Sequence, residues 1–452
     1  MLKGAILTED DEPGRERAAD ADETAPPPEL DRSPPAPLAD SPDPPPEVPL
    51  RVHALAALGH RNFRLFYAGQ FLSLVGTWMQ STAQGWLVLN LTDSSLLLGV
   101  VTAAASAPTV LFSLYAGALA DRADKRAIIM RANAAALVLA LLLAVLTSTG
   151  TITYPAVLAI AFALGTANAF EIPTRQSFFV ELVGKDDLPN AIALNSAQFN
   201  ATRIVGPAVA GWLIGTAGTA ACFYVNAASY VFVLAGLRAM RLPGFRPPET
   251  RAGTIDNIRE GLAYIRSDRL VRTLVSLIAA FSIFGFPYVM LMPVFARDIL
   301  KVGAHGLGWL LAATGSGALA GGIALAAAGE RVPRGRIMLG ASLGLCVSVF
   351  AFAGSRSFPL SLALLAVVGF CVVLNNTSIN ALLQSTVPDR LRGRVMSVYV
   401  LMFIGTAPIG ALQAGAVSRW LSAQAALQIG AALLAATVLA VAWKVPELVK
   451  SR

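Results

Sequence analysis

The chain has 452 residues, of which 55% are hydrophobic and 14% are charged, and its formal net charge is +7. A soluble protein carries charge on about a quarter of its residues, so this composition argues against a soluble globular protein. Residues 1–50 hold 13 acidic and 4 basic side chains, whereas the rest of the chain holds 15 acidic and 31 basic ones. Because this basic excess accompanies apolar segments, it indicates membrane topology, and no nucleic-acid partner is expected.

The first 50 residues contain twelve prolines and few apolar side chains. Such a segment cannot bury enough apolar surface to fold, so residues 1–50 are predicted to be a disordered, acidic, proline-rich tail. The tail lacks the apolar core and the cleavage site of a signal peptide. A solvated tether and a partner-binding segment both remain open.

From about Leu65 to Val445 the chain divides into twelve apolar stretches, each long enough to cross a bilayer. Since only helices or closed barrels satisfy their backbone in lipid, and nothing here alternates with period two, the stretches predict an all-α membrane protein with twelve transmembrane helices. The predicted spans are 65–89, 96–119, 128–146, 154–170, 191–214, 219–237, 274–295, 307–328, 337–353, 360–383, 395–417 and 423–445.

The basic residues crowd into every second gap between these stretches. The opposite gaps hold only Arg297, Lys301, Arg356 and Arg419. By the positive-inside rule, the sequence predicts a multi-pass protein of the inner or plasma membrane with both termini in the cytoplasm.

Two loop motifs recur at nearly one offset. Asp121-Arg122 returns as Glu330-Arg331 after 209 residues, and Gln176-Ser177 returns as Gln384-Ser385 after 208. The longest connection, 241–273, contains an amphipathic pattern typical of a helix on the membrane surface. The sequence therefore predicts two pseudo-symmetric six-helix bundles, 51–240 and 274–446, joined by this connection and followed by a tail at 447–452.

The loop after the second stretch reads Gly117-Ala-Leu-Ala-Asp121-Arg122-Ala-Asp124-Lys125-Arg126. It resembles the signature of the major facilitator superfamily, in which Gly and Asp-Arg are followed by one residue, Gly and two basic residues. Gly117, Asp121, Arg122, Lys125 and Arg126 match. Asp124 replaces a glycine, and the turn is expected to survive because Asp tolerates left-handed backbone.

This resemblance implies a secondary transporter that works by alternating access, with the motif acting as a latch on the cytoplasmic side. Gly117 would allow close helix approach, and Asp121 would accept charge-assisted hydrogen bonds. The alternative is that the basic residues only set topology. No cofactor and no metal site are expected.

A narrower resemblance rests on Asn62-Phe63-Arg64, Glu171-Ile-Pro-Thr-Arg175-Gln176, Leu188-Pro-Asn-Ala-Ile-Ala-Leu-Asn-Ser196 and Gly206-Pro207. These segments are similar to the enterobactin-exporter branch of the superfamily. The resemblance implies a monomeric exporter of a small amphipathic molecule, siderophore or drug-like, coupled to H+. An importer, or a sensor or assembly protein on the same fold, stays open. Three histidines, no HExxH and no P-loop argue against an enzyme.

Ionisable residues inside spans are candidates for function because they are costly in lipid. Arg203 is expected either to contact an anionic substrate group or to pair with a carboxylate, and a structural or snorkelling role is the alternative. Glu171 is expected either to titrate or to pair with Arg175.

Polar side chains at helical spacing mark the first and tenth spans. The cavity candidates are Gln70, Thr77, Gln80, Gln84, Asn376, Asn380 and Gln384. Hydrogen bonding between helices is the alternative. In the seventh span, Phe281, Phe284, Phe286 and Tyr288 face either substrate or lipid. The three cysteines are predicted to be small buried hydrophobic residues.

Overall fold

A computed structural model describes residues 55–242, 254–329 and 332–450, without the side chains of 113, 114, 118, 121, 254–259, 449 and 450. Within these ranges the chain forms helices and no strands. The predicted tail 1–50 and the Glu330-Arg331 repeat lie outside the described residues, as does the side chain of Asp121. The all-α prediction is confirmed for the described chain.

Thirteen helical segments organise the described residues. They are α1 (Arg61–Thr92), α2 (Ser95–Arg122), α3 (Lys125–Ser148), α4 (Tyr154–Val183), α5 (Leu188–Ala217), α6 (Thr219–Ala239), α7 (Thr254–Ser267), α8 (Arg269–Ile299), α9 (Gly303–Ala328), α10 (Arg334–Gly354), α11 (Phe358–Thr386), α12 (Asp389–Trp420) and α13 (Ala423–Lys444). Where consecutive helices are joined by described residues the connections are short, and several helices begin at a side-chain cap. Ser94, Asp124, Asp268 and Ser422 each accept a hydrogen bond from the backbone of the helix that follows.

Ten of these helices are long and apolar enough to cross a membrane. Two further long helices, α1 and α5, do not reach that hydropathy, although the sequence predicts a span in each. Both carry polar stripes along an apolar helix, and polar side chains lower the mean hydropathy without shortening the helix. The full set of twelve spans therefore stays a prediction.

Two spans are not regular α-helices. In α8, π-helical turns cover Phe281–Gly285 and Phe295–Ile299, on either side of Pro287 and Pro293. In α12, the helix is interrupted at Thr406, just before Pro408. Proline lacks a backbone donor and clashes with the preceding turn, so these breaks fall where the sequence demands them.

Helix packing follows the same order in the first six helices, α1–α6, and in the last six, α8–α13. The second helix of each set packs on the fourth, as α2 on α4 and α9 on α11, and the third packs on the sixth, as α3 on α6 and α10 on α13. Glycines bring these helices close: a Cβ on Gly165 would collide with the carbonyl oxygen of Ala105, and one on Gly317 would collide with that of Ala366. Small residues at such crossings let dispersion contacts replace the hydrophobic effect in lipid.

The connection 241–273 contains α7, as the amphipathic pattern predicts. This helix packs on α12, where Gly261 lies against the backbone of Arg394 and Glu260 pairs with the Arg394 side chain. Ile265 is buried. The described part of α7 is thus held against the last six helices, and a position on the membrane surface stays a prediction.

The cysteines Cys222, Cys346 and Cys371 are free and buried, as predicted.

Candidate functional site

Two seams join the first six helices to the last six, and both are built from glycine. In one seam, Gly99 of α2 meets Gly415 and Ala411 of α12, and a Cβ on Gly99 would lie 2.6 Å from the Ala411 carbonyl oxygen. In the other, Gly211 of α5 meets Gly308 of α9, and a Cβ on Gly308 would lie 2.8 Å from the carbonyl oxygen of Pro207. These glycines lie toward the end of the helices away from the basic loops. We call this the outer end, and the other the basic end.

An ion pair reinforces the outer end. Arg297 of α8 pairs with Asp93, which follows α1, and also donates from Nη1 to the carbonyl oxygen of Leu89 at 3.0 Å. The carbonyl oxygens at a helix C-terminus lack intrahelical partners, so a guanidinium is well suited to this position. Among the ion pairs of the described residues, Arg297–Asp93 is the one that joins the first six helices to the last six.

The loop motif of Gly117, Asp121, Arg122, Lys125 and Arg126 lies at the basic end. Among the described atoms, a Cβ on Gly117 would meet none within 4 Å, so no close approach at this glycine is seen in the described part of the chain. Lys125 pairs with Glu181 of α4, and Arg126 donates to the carbonyl oxygen of Arg238 in the last turn of α6. Both cations therefore brace the first six helices internally, while Arg122 is exposed at the end of α2.

Asp124 does not adopt the left-handed backbone expected where the family signature has glycine. Its φ is −60°, and its carboxylate accepts a hydrogen bond from the backbone nitrogen of Ala127 at 3.3 Å. The expectation of a left-handed turn is wrong because this residue caps α3, a role for which Asp is among the favoured residues.

Arg203 lies at the middle of α5, on the helix that packs on α9. Its backbone oxygen is 3.3 Å from the Cβ position of Gly315, and Tyr288 of α8 lies within electrostatic range of its side chain. Arg203 is half-buried and forms no ion pair with any described residue. Of the two expected roles, pairing with a carboxylate is not observed within the described chain, and contact with an anionic group remains.

Aromatic side chains form a cluster within the last six helices. Phe281, Phe286 and Phe403 form mutual ring contacts with centroids 6.0 to 6.3 Å apart, and Tyr288 adds an edge contact to Phe286. Phe281 and Tyr288 are buried. The alternative that these two aromatics face lipid is therefore wrong, because the Pro287 break and its π-helical turn direct them into the protein.

Glu171 and Arg175 form a second charged group, on α4. Glu171 Oε1 lies 3.1 Å from Arg175 Nε, and both side chains are about 11% exposed, but the pair lacks the angle of a hydrogen bond. The predicted span ends at residue 170, whereas α4 continues to Val183, so Glu171 lies well inside the helix rather than at its end. Tyr230 of α6 is close enough for its hydroxyl to feel the Glu171 charge.

The polar stripe of α1 is divided between two environments. Gln80 accepts a hydrogen bond from Asn226 Nδ2 of α6 at 2.6 Å, and Gln70 is buried with its side-chain oxygen unpartnered. Thr77 donates to the carbonyl oxygen of Ser73 within its own helix. Thr77 and Gln84 are only partly buried. The interhelical alternative therefore applies to Gln80, and a cavity position for Gln84 stays a prediction.

The stripe of α11 forms a chain of polar contacts toward the basic end. Gln384 donates from Nε2 to Asn380 Oδ1 at 2.5 Å, and Asn375 donates to Asn376 Oδ1 at 3.5 Å. Gln384 is exposed, while Asn376 and Asn380 are half-buried. Tyr399 of α12 lies beside Asn380.

Sequence reasoning missed four residues of these clusters: Asp93, Asn226, Tyr230 and Tyr399. Asn226 is a lone amide in an apolar span, a signal that could have marked it, since buried amides in lipid need partners. The other three lie beside their partners only through tertiary packing. Among the described residues, no group of three or more His, Cys, Asp or Glu side chains could hold a metal ion.

Comparison with known proteins places the chain among membrane transporters. It is 30% identical to the multidrug efflux pump Tap of Mycolicibacterium fortuitum, over 73% of this chain and 82% of the relative. It is 23% identical to the staphyloferrin A transporter of Staphylococcus aureus, over 77% and 87%. It is also 23% identical to the enterobactin exporter EntS of Escherichia coli O1:K1, over 79% and 85%.

Solved structures share the fold at low sequence identity. A bacterial homologue of the lysosomal transporter Spinster, inward-facing and occupied, matches with a TM-score of 0.66 and 14% identity, over 85% of this chain and 95% of that one. A D-xylose-proton symporter matches with a TM-score of 0.63 and 13% identity, over 84% and 96%. The fold is thus that of the major facilitator transporters, which are not enzymes.

A family model described as transmembrane secretion effector matches residues 52–451, nearly all of the helical chain. Together with the duplicated packing order and the efflux-pump relatives, this match shows that the protein belongs to the transmembrane secretion effector family, in the drug and siderophore efflux branch of the major facilitator superfamily.

Proposed function

We propose that this protein exports small amphipathic molecules, siderophore or drug-like, across the cell membrane by alternating access. The first six helices, within 51–240, and the last six, within 274–446, act as two bundles that rock about a central site. The basic end faces the cytoplasm, as do both termini. Transport is coupled to H+, and the working unit is a monomer.

The observation that carries this proposal is the position of Arg203. An uncompensated cation at the middle of a membrane helix is costly, and it persists where it serves a ligand or an ion pathway. Arg203 lies where α5 of the first six helices packs on α9 of the last six. Tyr288, which is within electrostatic range of Arg203, contacts Phe286 of the aromatic cluster formed by Phe281, Phe286 and Phe403. A cation beside aromatic rings suits a substrate that has an anionic group on an apolar body.

The arrangement of the helices at the two ends also supports export from the cytoplasm. The glycine seams and the Arg297–Asp93 pair close the outer end, while at the basic end a Cβ on Gly117 of the loop motif would meet none of the described atoms within 4 Å. With the basic end in the cytoplasm, this is an inward-facing state that waits for cytoplasmic substrate. The names of the relatives, a multidrug efflux pump and an enterobactin exporter, agree with outward transport.

Proton coupling is assigned to Glu171. Among the described residues it is the carboxylate buried in a span, it is paired only loosely with Arg175, and Tyr230 lies near it. A carboxylate with an imperfect partner can change protonation when the helices around it move.

The test uses the full chain in proteoliposomes with an imposed pH gradient. The probes are ethidium, an amphipathic cation, and an anilinonaphthalene sulfonate dye, an amphipathic anion. We expect gradient-driven movement of the anion away from the side that exposes the basic end, and protease accessibility of the tail reports that side. A sensor or assembly protein would move neither dye, and an importer would move the anion in the opposite direction.

A further inference from the structure

At the basic end, a groove lies on the periphery of the last six helices, away from the transport site. It has a volume of about 580 Å³, within the range of small-ligand sites, and runs between the start of α8 and the end of α13. The part nearer the basic loops, which we call its upper part, is cationic, with Arg269, Arg272 and Lys444. The part farther from these loops, its lower part, is apolar, with Leu433, Ala436 and Ala440.

Among the described residues none of the three cations forms an ion pair, and backbone carbonyls hold two of them in place. Arg269 Nη2 donates to the carbonyl oxygen of Lys444 at 2.5 Å, and Arg272 Nη1 donates to that of Arg266 at 2.6 Å. Backbone carbonyls orient a guanidinium but leave its charge uncompensated. The nearest acid along α8, Asp268, caps the helix by accepting from the Val271 nitrogen and does not line the groove.

The level of the groove corresponds to a membrane interface. Trp443, next to Lys444, is 83% exposed, and Trp420 at the outer end of α12 is 81% exposed. Exposed tryptophans concentrate where the bilayer core meets the headgroups. The cations of the groove therefore lie at headgroup level, and its small side chains, Ala436 and Ala440, lie deeper along α13.

We propose that this groove binds an anionic phospholipid. The phosphate sits among Arg269, Arg272 and Lys444, and one acyl chain lies over Ala440 and Ala436. Charge complementarity favours this occupant: a basic pocket between membrane helices recognises a phosphorylated headgroup, and the apolar lower part matches a chain rather than a soluble anion. The proposal is independent of the transported substrate.

The experiment measures lipid bound to the purified, delipidated full chain by native mass spectrometry. The chain is titrated with phosphatidylglycerol and with phosphatidylcholine of the same acyl composition. We expect phosphatidylglycerol to bind in preference. The double variant Arg272→Gln and Lys444→Gln keeps the Arg269 contact with α13, and it should weaken phosphatidylglycerol binding by on the order of tenfold.

Two matched controls separate a built site from general attraction to basic loops. Arg334→Gln with Arg336→Gln removes the same charge from the start of α10, outside the groove, and should leave binding unchanged. Ala440→Phe fills the acyl channel without changing charge and should weaken binding, whereas Leu439→Phe, on an exposed face of the same helix, should not. Equal losses in the groove and control variants, or no preference for phosphatidylglycerol, would overturn the proposal.

Discussion

Arg297 joins two helices that belong to different halves of the protein: its guanidinium pairs with Asp93 and donates to the Leu89 carbonyl oxygen at the end of α1. The contact lies at the outer end, on the side of the membrane that carries few basic residues. Asp93 has φ of 50°, a left-handed backbone that places its carboxylate beyond the helix end. The pair can form only when the outer end is closed.

Arg297→Gln should increase the population in which the outer end is open. The Asp93 side chain is 83% exposed, so we expect only the energy of a surface ion pair, about 0.2–1 kcal/mol, a shift of roughly 1.5- to 5-fold in the ratio of states. Spin labels at Thr151 and Arg356, in loops of the two halves, report the outer separation. Asp298→Asn is the matched control, because Asp298 contacts Arg297 without crossing between the halves.

Arg203→Gln should weaken the binding of amphipathic anions while leaving that of amphipathic cations nearly unchanged. A hydrogen bond to a charged group contributes about 1.5–3 kcal/mol, which corresponds to a loss of roughly 10- to 100-fold in affinity. Equilibrium fluorescence titration of the purified protein with the two dyes measures this difference. Arg203→Lys keeps the charge and should retain part of the affinity; equal losses for both dyes would indicate a structural role instead.

Asp121→Asn should abolish or greatly slow transport without preventing membrane insertion. If Asp121 accepts charge-assisted hydrogen bonds when the basic end closes, the neutral amide loses the charge on which that closure depends. Asp124→Asn is a close control, since Asn caps a helix as well as Asp does and only the charge three residues away is removed. The test measures flux in proteoliposomes together with the amount of protein inserted. Normal flux in Asp121→Asn would contradict a role of Asp121 as a latch.

Gln80→Leu should lower thermal stability while transport is largely retained. The substitution leaves the buried Asn226 amide without its partner, and bonds of this kind between membrane helices contribute about 0.6 kcal/mol on average. Gln84→Leu, one helical turn further, removes a partly buried amide that has no such partner and should affect transport more than stability. Unfolding temperature and flux, measured on both variants, separate the two roles of the stripe.

Gly308→Val should prevent the outer end from closing. A Cβ alone would lie 2.8 Å from the Pro207 carbonyl oxygen, so a branched side chain forces α5 and α9 apart. We expect loss of transport together with a longer distance between the Thr151 and Arg356 labels. Gly340→Val places the same side chain in open space on α10 and should have little effect on either measurement.

Much of the fold could be predicted because membrane helices are encoded locally. Length and hydropathy located the helices, and the loop motif with its resemblance identified the superfamily. The predicted helix bounds were least accurate where polar residues inside a helix were taken for the end of that helix. The span ending at residue 170 stops at Glu171 and Arg175, which are polar, yet α4 continues because each residue partly satisfies the other.

The site was harder to predict, because its partners come from different helices. Gln80 and Gln84 look equivalent in the sequence, and only the packing of α1 on α6 gives Gln80 its bond to Asn226. Arg297 looked like a minor exception to the charge asymmetry, since nothing in the sequence places it beside the end of α1. Tertiary packing determines the partners of both Gln80 and Arg297, and the periodicity of the sequence carries no information about tertiary packing.

The glycine seams give the outer end a barrier made of main chain. At Gly99 and Gly415, and at Gly211 and Gly308, backbone meets backbone, so no side chain there can rotate aside to admit a proton or a sodium ion. Leakage would require whole helices to separate along both seams at once. The separation of helices that admits an ion from outside is then the same separation that releases the cargo. The glycine seams that impose alternating access therefore also protect the membrane potential.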